Sequence, residues 1–215
     1  MIFIPILFPA KILNLRIEKS IDQFFDDMEK FFSKLDWDWL KVSKTTEVAW
    51  ENHEFEVLPI QRYEDDAIKS IRFVLNIPSV KTIEGKNAIF AFNHIFRIEI
   101  PREYPARVDK IKIITEKYLF HPRFSIHGIG EACLSINGEI DRVLMDIVFN
   151  LLFDPKRIRP PKLFSDADYG LNSKAMKWYQ DNNPNNIHLM LLNEWAKYRE
   201  HKFNLKNQPR IEKRK

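Results

Sequence analysis

The stretch that decides the fold is AIFAFNHIFRIEIP, residues 88–101. Its second half alternates with a period of two, so that Phe96, Ile98 and Ile100 share one face and Ile95, Arg97 and Glu99 share the other. Such alternation indicates a β-strand with one buried face. Turn signals separate this stretch from three segments with a similar pattern, residues 53–60, 71–78 and 108–115. Four strands with short links predict a four-stranded antiparallel meander across residues 53–115.

Segments with the apolar periodicity of helices precede and follow these strands. Four segments place apolar side chains at intervals of three and four: residues 17–35, 139–155, 172–180 and 186–202. Ser20 with Gln23 is expected to cap the first helix, and Pro155 is expected to end the second. The order of helix, sheet, irregular segment and further helices predicts an α+β domain, with helices on one face and at one end of the sheet.

The two ends of the chain differ from this central domain. In residues 1–15 an apolar run is interrupted by Pro5 and Pro9, lacks a basic region and a cleavage site, and is shorter than a membrane-spanning helix. We therefore expect an extended arm packed on the domain of residues 16–182, with no membrane partner. An arm that touches a membrane is the alternative. Segment 183–215 is expected to form a helix followed by a basic tail.

The basic tail concentrates positive charge. Residues 197–215 carry eight Lys or Arg against two Glu, whereas the net charge of the whole chain is +4. A charge run of this kind is typical of a solvated terminus. A handle for an acidic partner or for nucleic acid is the alternative. We favour the solvated terminus and do not expect nucleic acid as a partner.

The chain has one cysteine, Cys133, in the segment HPRFSIHGIGEACLSING, residues 121–138. A single cysteine excludes an internal disulfide framework and suits a reducing compartment, so we expect a cytoplasmic protein. The sequence contains neither G-x-x-x-x-G-K-[ST] nor G-x-G-x-x-G. ATP-dependent adenylation by this chain is therefore not expected, and no cofactor is predicted.

The chemistry of a lone thiol leaves several interpretations open. A carrier of acyl groups as thioesters needs one accessible cysteine and no neighbouring thiol that could take the acyl group. A small buried hydrophobic residue is the structural alternative for Cys133. A zinc site with His121 and His127 has no common ligand spacing and no evident fourth ligand. A Cys-His hydrolase would need family-specific surroundings that this sequence lacks.

A series of short motifs gives the chain a family resemblance. Tyr104–Pro105 follows the third predicted strand, His121–Pro122 follows the next one, and a loop then leads to GEACL, residues 130–134. Two segments downstream complete the series: LLFDP, residues 151–155, and LNSKAMKWY, residues 171–179. Over roughly residues 16–182 this order resembles the ubiquitin-conjugating enzymes. The resemblance implies their fold (N-terminal helix, four-stranded meander, active-site loop, C-terminal helices), with Cys133 as thioester nucleophile and His121 shaping the loop.

The departures from the family pattern concern the same loop. Arg123 stands where the family has Asn, the loop to Cys133 is two residues longer, ARVDK replaces a Pro-Pro pair, and the usual downstream Trp is missing. They indicate a divergent member, similar to archaeal or bacterial branches that conjugate ubiquitin-like proteins. Arg123, Asn137 or backbone N–H groups are candidates to donate to an oxyanion. An ordinary surface role for Arg123 is the alternative.

The family also places an acidic or small polar residue before its Asn-x-x-Ala helix start, where it assists the attacking lysine. Here that connection reads FSDADYGLN, residues 164–172, and Asp166 or Asp168 is the candidate to orient the amine. Aspartates beside glycine are also common in ordinary loops, which is the structural alternative.

The resemblance predicts a conjugating enzyme that carries a ubiquitin-like modifier on Cys133 and passes it to a lysine amine. Its expected partners are the modifier, a separate ATP-using activating enzyme, a protein substrate and a ligase. The alternative is a catalytically inactive binding module of the same fold, which recognises ubiquitin-like proteins or peptides. Arg123 and the missing Trp favour the module, whereas the retained Cys133 favours the enzyme.

Overall fold

The structure, a computed structural model, describes residues 9–34, 55–85, 87–124, 130–132, 134, 138–158 and 172–206. In this part of the chain it has four α-helices and seven β-strands. The predicted α+β class is therefore confirmed. No helix within these ranges combines the length and the apolar character that crossing a membrane requires.

The strands form one larger sheet and one hairpin. Their bounds are Phe55–Arg62 (β1), Ile68–Leu75 (β2), Ser79–Glu84 (β3), Asn87–Ala91 (β4), His94–Glu99 (β5), Lys112–Thr115 (β6) and Gly130–Glu131 (β7). The sheet has the order β1-β2-β5-β6-β7, and every neighbouring pair in it is antiparallel. The hairpin of β3 and β4 is inserted in the chain between β2 and β5.

The four strands predicted across residues 53–115 correspond to β1, β2, β5 and β6, which pair antiparallel in that order, but the described part of this range forms six strands, so the prediction is wrong in number. The stretch at 88–101 contains two strands, β4 and β5, because Asn93 has a φ of +62° and interrupts the extended backbone between them. β3 was not predicted at all. Residues 108–110 form a 3₁₀ turn, so the last predicted strand begins only at Lys112.

Helix α1, Ala10–Ser33, begins earlier than predicted. The carbonyl of Pro9 accepts the N–H groups of Ile12 (3.0 Å) and Leu13 (3.1 Å), so Pro9 starts the helix and does not interrupt it. Residues 10–15 of the expected extended arm are therefore helical, and the expectation for this part is wrong. The cap predicted at Ser20 is also wrong, because Ser20 lies within the helix.

Three further helices follow: Ile140–Leu151 (α2), Ser173–Asp181 (α3) and Pro184–Lys206 (α4). Helix α2 ends at Leu151, so the prediction that Pro155 ends it is wrong. The reason is a turn in which the Asp154 N–H donates to the carbonyl of Phe149 (2.9 Å). Phe153, within that turn, has a φ of +50°, a left-handed conformation that is uncommon for a residue with a side chain.

The core lies between the inner face of the sheet and the helices. Phe73 and Phe96 are paired across β2 and β5, and both are fully buried. Helix α1 packs against α2, where the rings of Phe31 and Phe149 are 5.6 Å apart. Helix α4 buries Trp195 in the same core, so the C-terminal helix is part of the domain. The same packing encloses His121 and Phe124, whose rings lie against Tyr179 of α3 and Phe96 of β5 respectively.

Candidate functional site

The imidazole of His121 lies at the start of the segment that leads to Cys133, and it is 1% exposed. Its Nδ1 accepts the N–H of Arg123 (3.1 Å), which closes a tight turn. Its ring lies against Phe124 (centroids 4.8 Å apart) and Tyr179 (5.4 Å). Burial, and secondarily the charge of Arg123, lowers the pKa of His121 to about 3. A neutral, enclosed imidazole holds this turn in place and does not exchange protons near pH 7.

The side chain of Arg123 is half-buried, and its Nε is shielded from solvent. Arg123 also acts on Asp146 of α2: burial raises the pKa of that carboxyl, and the charges of Arg123 and Arg142 oppose the rise. The positive charge of Arg123 therefore favours the ionised form of this carboxyl of α2. The two roles that the sequence suggests for Arg123, an ordinary surface arginine or an oxyanion donor, both stay predictions.

The residues on either side of Cys133 are attached to the rest of the fold. Gly130 and Glu131 form β7 and pair with Thr115 and Ile114 of β6. The Ala132 N–H donates to the carbonyl of Ile113 (2.8 Å). Leu134 is half-buried and packs against the core. The residues that flank the thiol position are thus held by the edge of the sheet and by apolar packing.

Four predicted site residues lie outside the described residues: Cys133, Asn137, Asp166 and Asp168. Among the predicted residues, His121 and Arg123 are described, and the structure brings them together through the hydrogen bond in the turn. The roles proposed for the other four stay predictions. In the described part of the chain, no cluster of three or more His, Cys, Asp or Glu could hold a metal ion.

A polar network at the start of α2 was missed by the sequence analysis. Arg16 of α1 forms two hydrogen bonds with Glu139, Nη2 to Oε1 (2.6 Å) and Nε to Oε2 (3.1 Å). Tyr104 donates its hydroxyl to Glu139 Oε2 (3.3 Å) and accepts the Ile140 N–H (3.4 Å). Arg16 lowers the pKa of Glu139, while burial raises the pKa of Tyr104 to about 12. The network joins α1, the Tyr-Pro turn and the first turn of α2.

One signal for part of this network was present in the sequence. Glu139 directly precedes the helical periodicity, and a carboxylate near a helix N-terminus is favoured by the helix dipole. Nothing in the sequence pattern identified its partners, because Arg16 is 123 positions away and Tyr104 is 35 positions away.

The start of α3 is fixed by Asn172, a buried residue. Its Oδ1 accepts the N–H of Ala175 (3.0 Å), and its Nδ2 donates to the carbonyl of Leu119 (3.4 Å). The first bond is a helix cap, and it confirms the predicted helix start in LNSKAMKWY. The second joins α3 to the segment just before His121. Asn172 therefore positions α3 against the turn that begins the predicted loop.

Comparison with protein-family models finds no match for this chain, and comparison with curated proteins finds no match either. The resemblance to ubiquitin-conjugating enzymes stays a prediction, which depends on the order of motifs in the sequence.

Proposed function

We propose that this chain is a conjugating enzyme for a ubiquitin-like modifier, with the fold of that enzyme family and a cytoplasmic location. Cys133 accepts the C-terminal acyl group of the modifier as a thioester and passes it to a lysine amine of a protein substrate. The activated modifier comes from a separate ATP-using enzyme, and a ligase brings enzyme and substrate together. The proposal needs no metal or cofactor in this chain.

The observation that supports the proposal most is the attachment of both flanks of Cys133. β7 holds the residues before it at the edge of the sheet, and Leu134 packs against the core after it. A thiol that exchanges acyl groups between two large proteins benefits from fixed surroundings, because much of the rate of such a step comes from positioning. The buried, neutral His121 at the other end of the segment supports the same interpretation.

The proposed reaction has two steps that balance without a redox change. The thiolate of Cys133 attacks the carbonyl carbon of the modifier thioester on the activating enzyme, and that enzyme's thiolate leaves. In the second step a deprotonated lysine amine attacks the new thioester, an amide bond forms, and the Cys133 thiolate leaves. The amine proton passes to Asp166, Asp168 or solvent. Asn137, Arg123 or backbone N–H groups donate to the oxyanion in both steps.

Arg123 can donate to the oxyanion only under one condition. Its side chain is half-buried, so donation to an oxyanion requires that some of its guanidinium N–H groups are directed at the thioester. Arg123→Ala is then expected to slow discharge to free lysine more than it slows loading. If Arg123→Ala discharges to lysine at the wild-type rate, the oxyanion contacts are assigned to Asn137 or to backbone N–H groups.

The test incubates the chain with an activating enzyme, that enzyme's ubiquitin-like modifier and ATP. The wild-type chain is expected to form an adduct that reducing agent removes, visible by non-reducing electrophoresis and intact mass. Cys133→Ser is expected to form an ester more slowly, and reducing agent does not remove that ester. Cys133→Ala is expected to form no adduct. Normal loading of Cys133→Ala would overturn the proposal.

A second candidate is a binding module of the same fold that does not transfer the modifier. Arg123 at the position of the family's Asn and the missing downstream Trp favour it. This candidate predicts that wild-type chain and Cys133→Ala bind the modifier with equal affinity in isothermal titration calorimetry, and that neither forms an adduct.

A further inference from the structure

A groove of about 600 Å³ lies between β3, the segment just before His121, and α3. Its apolar wall consists of Ile83, Tyr118, Phe120 and Trp178. The rings of Phe120 and Trp178 are 6.2 Å apart in an edge-to-face arrangement. Tyr118 is 44% exposed, so its ring is accessible at the surface of the groove. This wall offers apolar area to a ligand.

The rim of the groove carries two positive charges. Lys174 and Lys177 are both exposed, and their spacing of three residues places them on one face of α3. Asp181 lies on the same rim, so the charge of the lining side chains is positive overall. Within the described part of the chain neither lysine forms an ion pair with a carboxylate. The groove therefore combines an apolar wall with cations that are available to a negatively charged ligand.

The shape of the lining favours an extended ligand. The hairpin contributes Thr82 and Ile83 to the groove, and both belong to β3. In the described residues β3 forms a strand ladder with β4 alone, so one edge of β3 carries no strand there. Peptides that bind beside an open strand use backbone hydrogen bonds for affinity and side-chain pockets for specificity.

We propose that this groove binds an extended acidic segment of a partner protein. One apolar side chain of that segment packs against Tyr118 and Trp178, and its carboxylates face Lys174 and Lys177. Phe120, which lines the groove, directly precedes His121, where the segment that leads to Cys133 begins. The identification of this partner as the substrate that receives the modifier rests on the proposed function, whereas the binding itself does not.

The test uses the full chain with Cys133→Ala, which cannot form the thioester, so binding is measured separately from acyl transfer. An array of acidic peptides, each with one apolar residue at a varied position, is probed next to the same array with every Asp and Glu replaced by Lys. The best acidic peptide is then labelled with fluorescein and titrated by fluorescence anisotropy. We expect saturable binding that weakens as sodium chloride is raised.

The double variant Lys174→Glu, Lys177→Glu is expected to weaken that peptide about tenfold, because two attractions become repulsions. The matched control Lys11→Glu, Lys156→Glu changes the net charge equally at exposed positions outside the groove, and is expected to bind as the parent does. Tyr118→Ser, a change at a partly exposed side chain, is expected to weaken binding without charge change. Circular dichroism checks that each variant is folded.

Three results would overturn the inference. The first is an array on which no acidic peptide exceeds its lysine-substituted counterpart. The second is equal weakening by the groove pair and by the control pair. The third is tighter binding of a labelled single-stranded oligouridine than of any acidic peptide, with loss of that binding in the groove pair, since this would assign the groove to nucleic acid. Loading of Cys133 in the wild-type chain fails or succeeds independently of all three.

Discussion

The buried imidazole of His121 makes the free energy of unfolding depend on pH. Its pKa is about 3 in the folded chain against 6.5 for an unperturbed histidine. The unfolded chain therefore binds the proton more tightly, so stability is full above pH 6.5 and falls as the pH drops from there toward 3. Between pH 7.5 and pH 5 this one group costs about 2 kcal/mol. Burial lowers the pKa of His94 to about 4, and this second group costs about 2 kcal/mol more.

The informative substitution is His121→Asn. The Asn side chain does not titrate, and its Oδ1 can accept the N–H of Arg123 as the imidazole does. We expect the loss of stability between pH 7.5 and pH 5 to be about 2 kcal/mol smaller than in the wild type. At pH 7.5 the variant is expected to be about 1–3 kcal/mol less stable, because the ring contacts with Phe124 and Tyr179 are lost.

The assay is urea denaturation followed by circular dichroism at pH 7.5, 6.5 and 5.0, with fixed ionic strength. His94→Asn removes the second buried histidine, which lies elsewhere in the core, and tests its contribution in the same way. His201→Asn is the control, since it removes an exposed imidazole of α4, and its pH profile is expected to match the wild type. If His121→Asn loses as much free energy of unfolding between pH 7.5 and pH 5 as the wild type does, the conclusion that His121 is buried and neutral is refuted.

Two further substitutions and one truncation test separate parts of the structure. Asn172→Ala removes the cap on the N–H of Ala175 and is expected to cost about 1 kcal/mol in urea denaturation, whereas a change no larger than that of an exposed Asn→Ala control would argue against the cap. Tyr104→Phe leaves the Ile140 N–H without its hydroxyl acceptor and is expected to cost about 1–2 kcal/mol by the same measurement; an unchanged urea midpoint would contradict the network. Removal of residues 206–215 is expected to leave the melting temperature unchanged in a thermal scan, and a large fall would show that the tail contributes to the core.

The sequence predicted those elements whose apolar side chains repeat with a clear period. Phe96 and Ile98 alternate with charged residues and form a strand, and residues 140–151 repeat at helical spacing and form α2. β3 was missed because SVKTIE is buried at its start and exposed at its end, without alternation between its two faces. Pro9 was interpreted as an interruption, although proline at a helix start is compatible with the missing backbone donor.

The candidate site was predictable only where a local motif marks it. His-Pro identified the turn at His121, and Asn-x-x-Ala identified the cap at Asn172. The hydrogen bonds of Arg16 with Glu139 and the electrostatic effect of Arg123 on Asp146 join residues from different parts of the chain. Such pairs follow from the packing of α1 and the His121 turn on α2, and no local pattern contains that information.

The packing of α1 against α2 also has a consequence for the order of events during synthesis. α1 is complete at Ser33, but its main helical partner starts at Ile140, so roughly a hundred further residues must leave the ribosome first. At typical elongation rates this takes roughly 5–20 s. During that interval an isolated helix is only marginally stable, and the part of its apolar face that includes Phe31 lacks its native contact with Phe149. The first helix to be made therefore completes its burial late, and the nascent chain offers a binding face to chaperones until α2 emerges.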